Sequence, residues 1–171
     1  IAHAHNSSSD KGLLKSVLHN INKHLIGKFT NYYFACSKTA SNWFFDKKTN
    51  VKKTIHIINN GIDTERFIYN KTIRERKREE LSIQENSLVI GHVGRFNKQK
   101  NHAFLIDIFS EYHKYNSNSQ LLLIGQGPLK DMIVEKVSCL GLTDSVKFLG
   151  IRSDTNELYQ AMDVFILPSL Y

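Results

Sequence analysis

Arg95 and Lys100 follow a short apolar run, where a glycine and two cationic side chains could hold a phosphorylated ligand. The run Leu88–Val93 ends at Gly94, and a new amphipathic pattern begins at Asn101. Glycine lets the backbone approach phosphate oxygens, and a helix N-terminus presents unpaired N–H groups. The guanidinium adds a planar fork of donors and the ammonium adds a point charge. These residues predict a diphosphate site, although the same pattern also fits a solvated loop.

Two later loops also follow apolar runs and contain glycine. Gly125-Gln126-Gly127-Pro128 follows the apolar run Gln120–Ile124, and Gly150-Ile151-Arg152 follows Val146–Leu149. In open α/β sheets, ligands bind beyond the carboxyl ends of the strands, so the loops indicate one ligand site. Each has a plainer alternative. G-x-G-P lacks the third glycine of a dinucleotide fingerprint and is also typical of a tight turn, and Arg152 is more typical of a surface residue than of a base contact.

The elements that position these loops follow from the alternation of apolar runs and helical patterns. Strands are expected at residues 1–5, 32–36, 55–58, 88–93, 120–124, 146–149 and 163–167. Apolar strands separated by helices indicate βαβ units around a parallel sheet, so the fold class is α/β. Near the start, Leu14, Val17, Leu18, Ile21 and Leu25 recur at helical spacing, with Asp10 as the expected cap. The mixed-sign run Arg74–Glu80 predicts a solvated helix within a charged connector.

Composition limits the classes of partner. The 171 residues carry a formal net charge of +7 and a pI near 9.4, with 41% hydrophobic residues. This balance favours anionic partners such as nucleotides, nucleic acid or an acidic membrane surface. No apolar run approaches the length of about 18 residues that a membrane span needs. Cys36 and Cys139 show no metal-site spacing and are expected to be buried thiols in a reducing compartment.

Four segments, in their order and spacing, resemble the C-terminal half of a retaining glycosyltransferase of family 4 (GT4): HVGRFNKQKNH, LLLIGQGPLKD, VKFLGIRSD and AMDVFILPSLY. IAHAHNSSS, YYFACSKTASNWFF and IINNGIDTERF similarly resemble the end of the N-terminal domain and the linker. The resemblance implies the GT-B fold, in which two Rossmann-like domains face each other, here incomplete at both ends. It implies an acceptor-side domain over residues 1–60, a linker and charged helix over 61–86, and a nucleotide-sugar-binding domain over 87–171.

The resemblance also implies roles for residues. Arg95 and Lys100 would contact the donor diphosphate and neutralise the charge that grows on the leaving group. Gly125–Pro128 would lie near the nucleotide, and Gly150, Ile151 and Arg152 would hold the base largely through main-chain contacts. Neither a metal nor a cofactor is expected. Some relatives use an acceptor-side histidine, which makes His5 a catalytic candidate, although a strand-end histidine satisfied by neighbouring backbone is the alternative.

The implied activity is transfer of a sugar, with retention, from a UDP-sugar to a glycan or lipid-linked acceptor in surface polysaccharide synthesis. A cytoplasmic protein is expected, with possible peripheral contact at the anionic inner membrane face. Because relatives continue into an acidic motif after the P-S-x-Y segment, a fragment ending at Tyr171 is expected to be inactive alone. Two alternatives stay open, a GT-B nucleotide-sugar epimerase and a basic nucleic-acid-binding module. The second requires exposed aromatic residues interleaved with basic ones, whereas the pattern places the aromatic residues inward, so no nucleic-acid partner is expected.

Overall fold

The chain forms two compact units, residues 1–62 and residues 63–171. A computed structural model describes residues 1–5 and 13–170. The expected cap Asp10 and the terminal Tyr171 lie outside the described residues. Both units contain a parallel sheet with helices, as the alternating pattern predicted.

The first unit is built on three short parallel strands in the order β1-β2-β3. The strands are β1 (Ala2–Ala4), β2 (Tyr33–Ala35) and β3 (Ile55–Ile57), and the helices are α1 (Leu13–Phe29), α2 (Lys38–Phe44) and α3 (Lys47–Lys52). Ser37 and Asp46 cap α2 and α3, because each side chain accepts a hydrogen bond from a backbone N–H three residues later. The small core centres on Tyr33, Ala35 and Phe45.

The second unit is a four-stranded parallel sheet in the order β6-β5-β4-β7. Its strands are β4 (Leu88–Val93), β5 (Ser119–Ile124), β6 (Val146–Gly150) and β7 (Val164–Phe165), and its helices are α4 (Lys71–Glu80), α5 (His102–Tyr115), α6 (Lys130–Cys139) and α7 (Thr155–Ala161). One face of the sheet packs against α5 and α6, where Leu105, Phe109 and Ile133 are buried. The other face packs against α7 through Leu158. Strands covered on both faces explain their continuous apolar runs.

The charged segment before β4 is not a solvated helix. In α4 the side chains of Lys77 and Arg78 are buried, and the helix packs against α7. Arg78 donates hydrogen bonds to the carbonyls of Glu85, Ser87 and Ala161 and to the carboxylate of Asp163. The expectation for Arg74–Glu80 is therefore wrong at these two positions, because carboxylates and carbonyls far along the sequence replace water around the cations.

Residues 63–86 belong to the second compact unit. A short 3-10 turn (Thr64–Phe67) precedes α4, and the ring of Phe67 lies 5.8 Å from that of Tyr159 in α7. The backbone N–H of Asn70 also donates to the side chain of Gln160. These contacts attach the expected linker to the sheet that follows it, while the expected division into domains at residue 60 stays a prediction.

Candidate nucleotide-sugar site

Three loops meet at the carboxyl edge of the second sheet, held together by main-chain hydrogen bonds. The loops follow β4, β5 and β6. The N–H of Gly94 donates to the carbonyl of Ile124 at 2.9 Å, and the N–H of Gly125 donates to the carbonyl of Gly150 at 2.7 Å. The N–H of Phe96 donates to the carbonyl of Gln126 at 3.0 Å. The three predicted loops are thus brought together, as parallel strands require.

Glycine is required at two of these positions by the closeness of neighbouring backbone. Gly125 has a φ of +134°, and a Cβ there would collide with the carbonyl oxygen of Gly94. A Cβ at Gly127 would collide with the backbone of Phe96. The G-x-G-P sequence therefore has the close backbone packing of a tight turn, and its contact with a nucleotide stays a prediction.

An open cavity of about 680 Å³ lies over this turn. Its lining is formed by the side chains or backbone of Arg95, Gly125, Gln126, Gly127, Pro128 and Ile151. Arg95 is exposed and has its guanidinium available to an anionic ligand. The volume falls within the range of roughly 300–1,000 Å³ that small-molecule sites occupy.

Lys100 and the start of α5 adjoin the same loop. The Lys100 side chain is half-buried, and its aliphatic carbons lie close to Gly94. Asn101 precedes the helix in the left-handed conformation, with φ +51°, and makes no side-chain capping bond. The first N–H groups of α5 therefore lack the usual cap and stay available to an anion.

Two buried histidines lie beneath this loop, and the pattern of the sequence indicated only one of them. His92 in β4 is buried as predicted, and its Nδ1–H donates to the carbonyl of Ile166 at 2.8 Å. His102 is also buried, and its ring stacks on Phe96 at 4.0 Å and meets His92 edge-on at 4.7 Å. Burial, with additional effects of His92 and Lys100, lowers the pKa of His102 to about 4. Burial likewise lowers the pKa of His92. Both rings are therefore neutral near pH 7, and they support the loop from below.

Arg152 does not line the cavity. Its guanidinium donates to Asp154 at 2.7 and 2.8 Å and to Glu80 of α4 at 2.9 Å. The bonds to Asp154 and then Glu80 raise the pKa of Arg152, and the same Arg152 contact is the main cause that lowers the pKa of Asp154. Asp154 also contacts Lys77, so Arg152 belongs to an ion-pair network that fixes the loop after β6.

His5 and the two cysteines are not part of these loops. His5 is exposed at the end of β1 in the first unit, with its ring 4.1 Å from that of His3, and its carbonyl accepts from Cys36. Its catalytic role stays a prediction. Cys36 is half-buried but Cys139 is exposed at the end of α6, so the expectation of two buried thiols is wrong for Cys139.

The described residues contain neither a membrane-spanning helix nor a cluster of metal-binding side chains. Within residues 1–5 and 13–170, no helix is both long and apolar enough to cross a membrane. The same part of the chain contains no group of three or more histidine, cysteine and acidic side chains placed to hold a metal ion.

Comparison with known proteins identifies the family. Residues 73–171 match the model of the family described as glycosyl transferases group 1. The chain belongs to this family. The matched segment begins within α4 and includes every loop of the candidate site.

Individual relatives agree with this assignment. The chain is 34% identical over its whole length to the putative glycosyltransferase EpsF of Bacillus subtilis, of which it covers 45%. It is 32% identical, over 68% of its length, to the UDP-Gal:alpha-D-GlcNAc-diphosphoundecaprenol alpha-1,3-galactosyltransferase of Escherichia coli, covering 31% of that enzyme. The chain therefore spans less than half the length of either relative.

A solved structure supports the fold. HepE of Anabaena, crystallised with UDP and glucose, aligns with 98% of this chain and 45% of its own length, with a TM-score of 0.76 and 22% identity. At this identity the likeness shows the fold alone, which is the expected GT-B type of α/β architecture.

Proposed function

We propose that the protein transfers a sugar from a UDP-sugar to a glycan or lipid-linked acceptor, with retention of configuration, in the synthesis of a surface polysaccharide. The observation that carries the proposal is the cavity at the meeting point of the three loops, with Arg95 on its wall and Lys100 and the uncapped start of α5 in the same loop. Cationic donors and free N–H groups at one edge suit a diphosphate.

The chemistry required of these residues is charge stabilisation. When the bond between the anomeric carbon and the donor phosphate oxygen breaks, the electron pair stays on the leaving UDP. Arg95 and Lys100 would stabilise that growing negative charge, which is worth most where donors are already in place. The acceptor hydroxyl would form the new bond on the face that UDP leaves, and its proton would pass to a phosphate oxygen. This role for two cations requires neither a metal nor a cofactor.

Relatives favour the same donor and acceptor classes. The Escherichia coli relative is named for UDP-galactose as donor and a diphosphoundecaprenol-linked acceptor, and HepE was crystallised with UDP. A lipid-linked acceptor would bring the protein to the cytoplasmic face of a membrane as a peripheral protein. Family membership favours the transferase over a nucleotide-sugar epimerase and a nucleic-acid-binding module.

The decisive experiment is UDP binding by the full-length protein, measured by titration calorimetry before and after Arg95→Ala and Lys100→Ala. Loss of one charged hydrogen bond costs about 1.5–3 kcal/mol, which is roughly a 10- to 150-fold weaker Kd. Lys98→Ala is the matched control, because Lys98 is an exposed cation two positions before Lys100 and has no proposed contact with the diphosphate. If Arg95→Ala and Lys100→Ala both bind UDP as tightly as the unsubstituted protein and the Lys98→Ala control, the proposal is contradicted.

Two further readouts separate the alternatives. Consumption of the UDP-sugar without any acceptor would favour the epimerase, and salt-dependent binding of oligonucleotides without binding of UDP would favour the nucleic-acid module. The anomeric configuration of the product, followed by NMR, tests retention directly.

A further inference from the structure

The loop of residues 150–154 contributes to the cavity wall at some distance from the proposed diphosphate contacts. In the sheet order β6-β5-β4-β7, the loop after β6 is two strands away from the loop after β4. Neighbouring strands are about 4.8 Å apart, so this separation is on the order of 10 Å. Ile151 is exposed on the cavity wall. A UDP molecule whose diphosphate meets Arg95 would therefore reach this loop with its uridine.

The two ends of this loop are held by different kinds of contact. At its start, the carbonyl of Gly150 accepts a hydrogen bond from the N–H of Gly125. At its end, Asp154 precedes α7 in a position where an aspartate ordinarily caps the helix, but its carboxylate makes no capping bond. The carboxylate accepts instead from Arg152 at 2.7 and 2.8 Å and from the ammonium of Lys77 at 2.6 Å. Side chains therefore fix the end of the loop.

Lys77 is the buried centre of these contacts. It is 6% exposed, and its ammonium lies 2.7 Å from Glu80 and 3.2 Å from Glu157 in addition to its contact with Asp154. Each of the three ammonium protons thus has a carboxylate within reach. Burial alone would lower the pKa of Lys77, but the hydrogen bonds to these carboxylates raise it above its ordinary value. The ammonium is therefore charged, with carboxylates in the place of water.

Asp154 has two competing sets of partners. The first N–H groups of α7 lack a side-chain cap and could accept its carboxylate as one. Lys77 and Arg152 draw the carboxylate away from these N–H groups. Without the ammonium of Lys77, the carboxylates of Asp154, Glu80 and Glu157 would repel one another. Asp154 could then turn towards α7, and the loop before it would change shape.

We propose that Lys77 is a positioning residue for the nucleoside part of the donor. It lies in α4 and does not line the cavity, but it holds Asp154 and thereby keeps the loop of residues 150–154 in the shape that receives uridine. The inference rests on the proposed function, because it takes the diphosphate contacts of Arg95 and Lys100 as its starting point. Loss of the ammonium should weaken binding of the nucleoside and leave binding of the diphosphate unchanged.

The test compares UDP with inorganic diphosphate as ligands of the full-length protein, both measured by titration calorimetry. Lys77→Met keeps most of the buried aliphatic chain and removes the ammonium. If the loop then has its binding shape one-tenth as often, the Kd for UDP rises about tenfold. The Kd for inorganic diphosphate should stay the same, because this ligand has no nucleoside. A general loss of folded protein would instead weaken both ligands alike.

Two further variants sharpen the comparison. Lys71→Met is the matched control, since Lys71 lies on the same helix and pairs at 3.6 Å with Glu75, where both side chains are mostly exposed. It should leave both affinities unchanged. Asp154→Asn keeps the shape of the side chain and removes the charge that Lys77 and Arg152 share. It should weaken UDP binding selectively, and it decides the question if Lys77→Met does not fold.

The outcomes separate this inference from the proposed function. A loss of UDP affinity without a loss of diphosphate affinity in folded Lys77→Met supports the positioning role. Unchanged UDP affinity in that variant, or an equal loss for the two ligands, would overturn the role of Lys77 while the unsubstituted protein still binds UDP. Failure of the unsubstituted protein to bind UDP would contradict the proposed function, and the positioning role with it.

Discussion

Arg78 should be one of the strongest single determinants of stability in the second unit. Arg78 is 4% exposed, and its side chain donates to the carbonyls of Glu85, Ser87 and Ala161 and, at 2.7 Å, to the carboxylate of Asp163. Arg78→Leu keeps an apolar side chain in the space but leaves these acceptors without their donor. Removal of one partner from a buried ion pair costs about 3–5 kcal/mol. Asp163 is partly exposed and keeps its contacts with Arg74 and the Val89 N–H, so we expect about 3 kcal/mol.

The matched control lies two positions earlier on the same helix. Arg76 is 59% exposed and pairs with one carboxylate, that of Glu157. Because exposed pairs contribute at most about 1 kcal/mol, Arg76→Leu should lower the free energy of unfolding only slightly. Urea unfolding of both variants, followed by circular dichroism, measures the difference. If both variants lower the free energy of unfolding by the same amount, the buried hydrogen bonds of Arg78 do not have the predicted effect on stability.

Two further predictions concern the loops and the histidines beneath them. Gly125→Ala should destabilise the second unit by about 2 kcal/mol or more, because a φ of +134° strains an alanine and its Cβ collides with the Gly94 carbonyl. A thermal unfolding curve that does not differ from that of the unsubstituted protein would contradict this prediction. The pKa of His102, about 4 in the folded state, lies below its ordinary value of 6.5, so the unfolded state binds more protons between these values. Stability should therefore be lost as pH falls from 6.5 to about 4, on the order of 3 kcal/mol, and His102→Phe should flatten this part of the pH profile of unfolding. A profile equally steep in that variant would exclude His102 as the cause.

The regular elements of the second unit could be predicted because each has a local cause. Leu88–Val93 is a continuous apolar run that ends at glycine, and the strand has those bounds in the structure. The turn Gly125–Pro128 precedes α6 as expected, although the helix begins at Lys130, two residues after the proline. Parallel strands then bring their following loops to one edge, so the meeting of the three loops was predictable as well.

What could not be predicted depends on partners distant in sequence. Periodicity identifies the apolar face of α1, but it does not determine that the neighbouring elements contact the opposite face. The mixed charges of α4 do not predict the burial of Lys77 and Arg78. Their acceptors lie about 80 residues later in the chain, Asp154 at the start of α7 and Asp163 just before β7. The residue pattern of a helix describes that helix alone, whereas the burial of its side chains depends on the elements that pack against it.

The candidate site shows the same division. Arg95 and the glycine turn were predictable from residue type and position at strand ends, and both line the cavity. Arg152 was named from the same reasoning, but Glu80 and Asp154 lie close enough to occupy its guanidinium. The sequence pattern does not predict the burial of His102, because a histidine in the first turn of a helix is ordinarily exposed, and its burial depends on contacts with Phe96 and His92.

The main-chain bonds between the loops have a consequence for redesign. Since Gly94, Gly125 and Gly150 hold the three loops together through backbone groups, the shape of the cavity does not depend on the side chains that face it. Gln126 and Ile151 are both exposed on its wall. They are positions where an engineer could exchange side chains to alter ligand preference with little loss of stability, because no hydrogen bond that holds the scaffold would be broken.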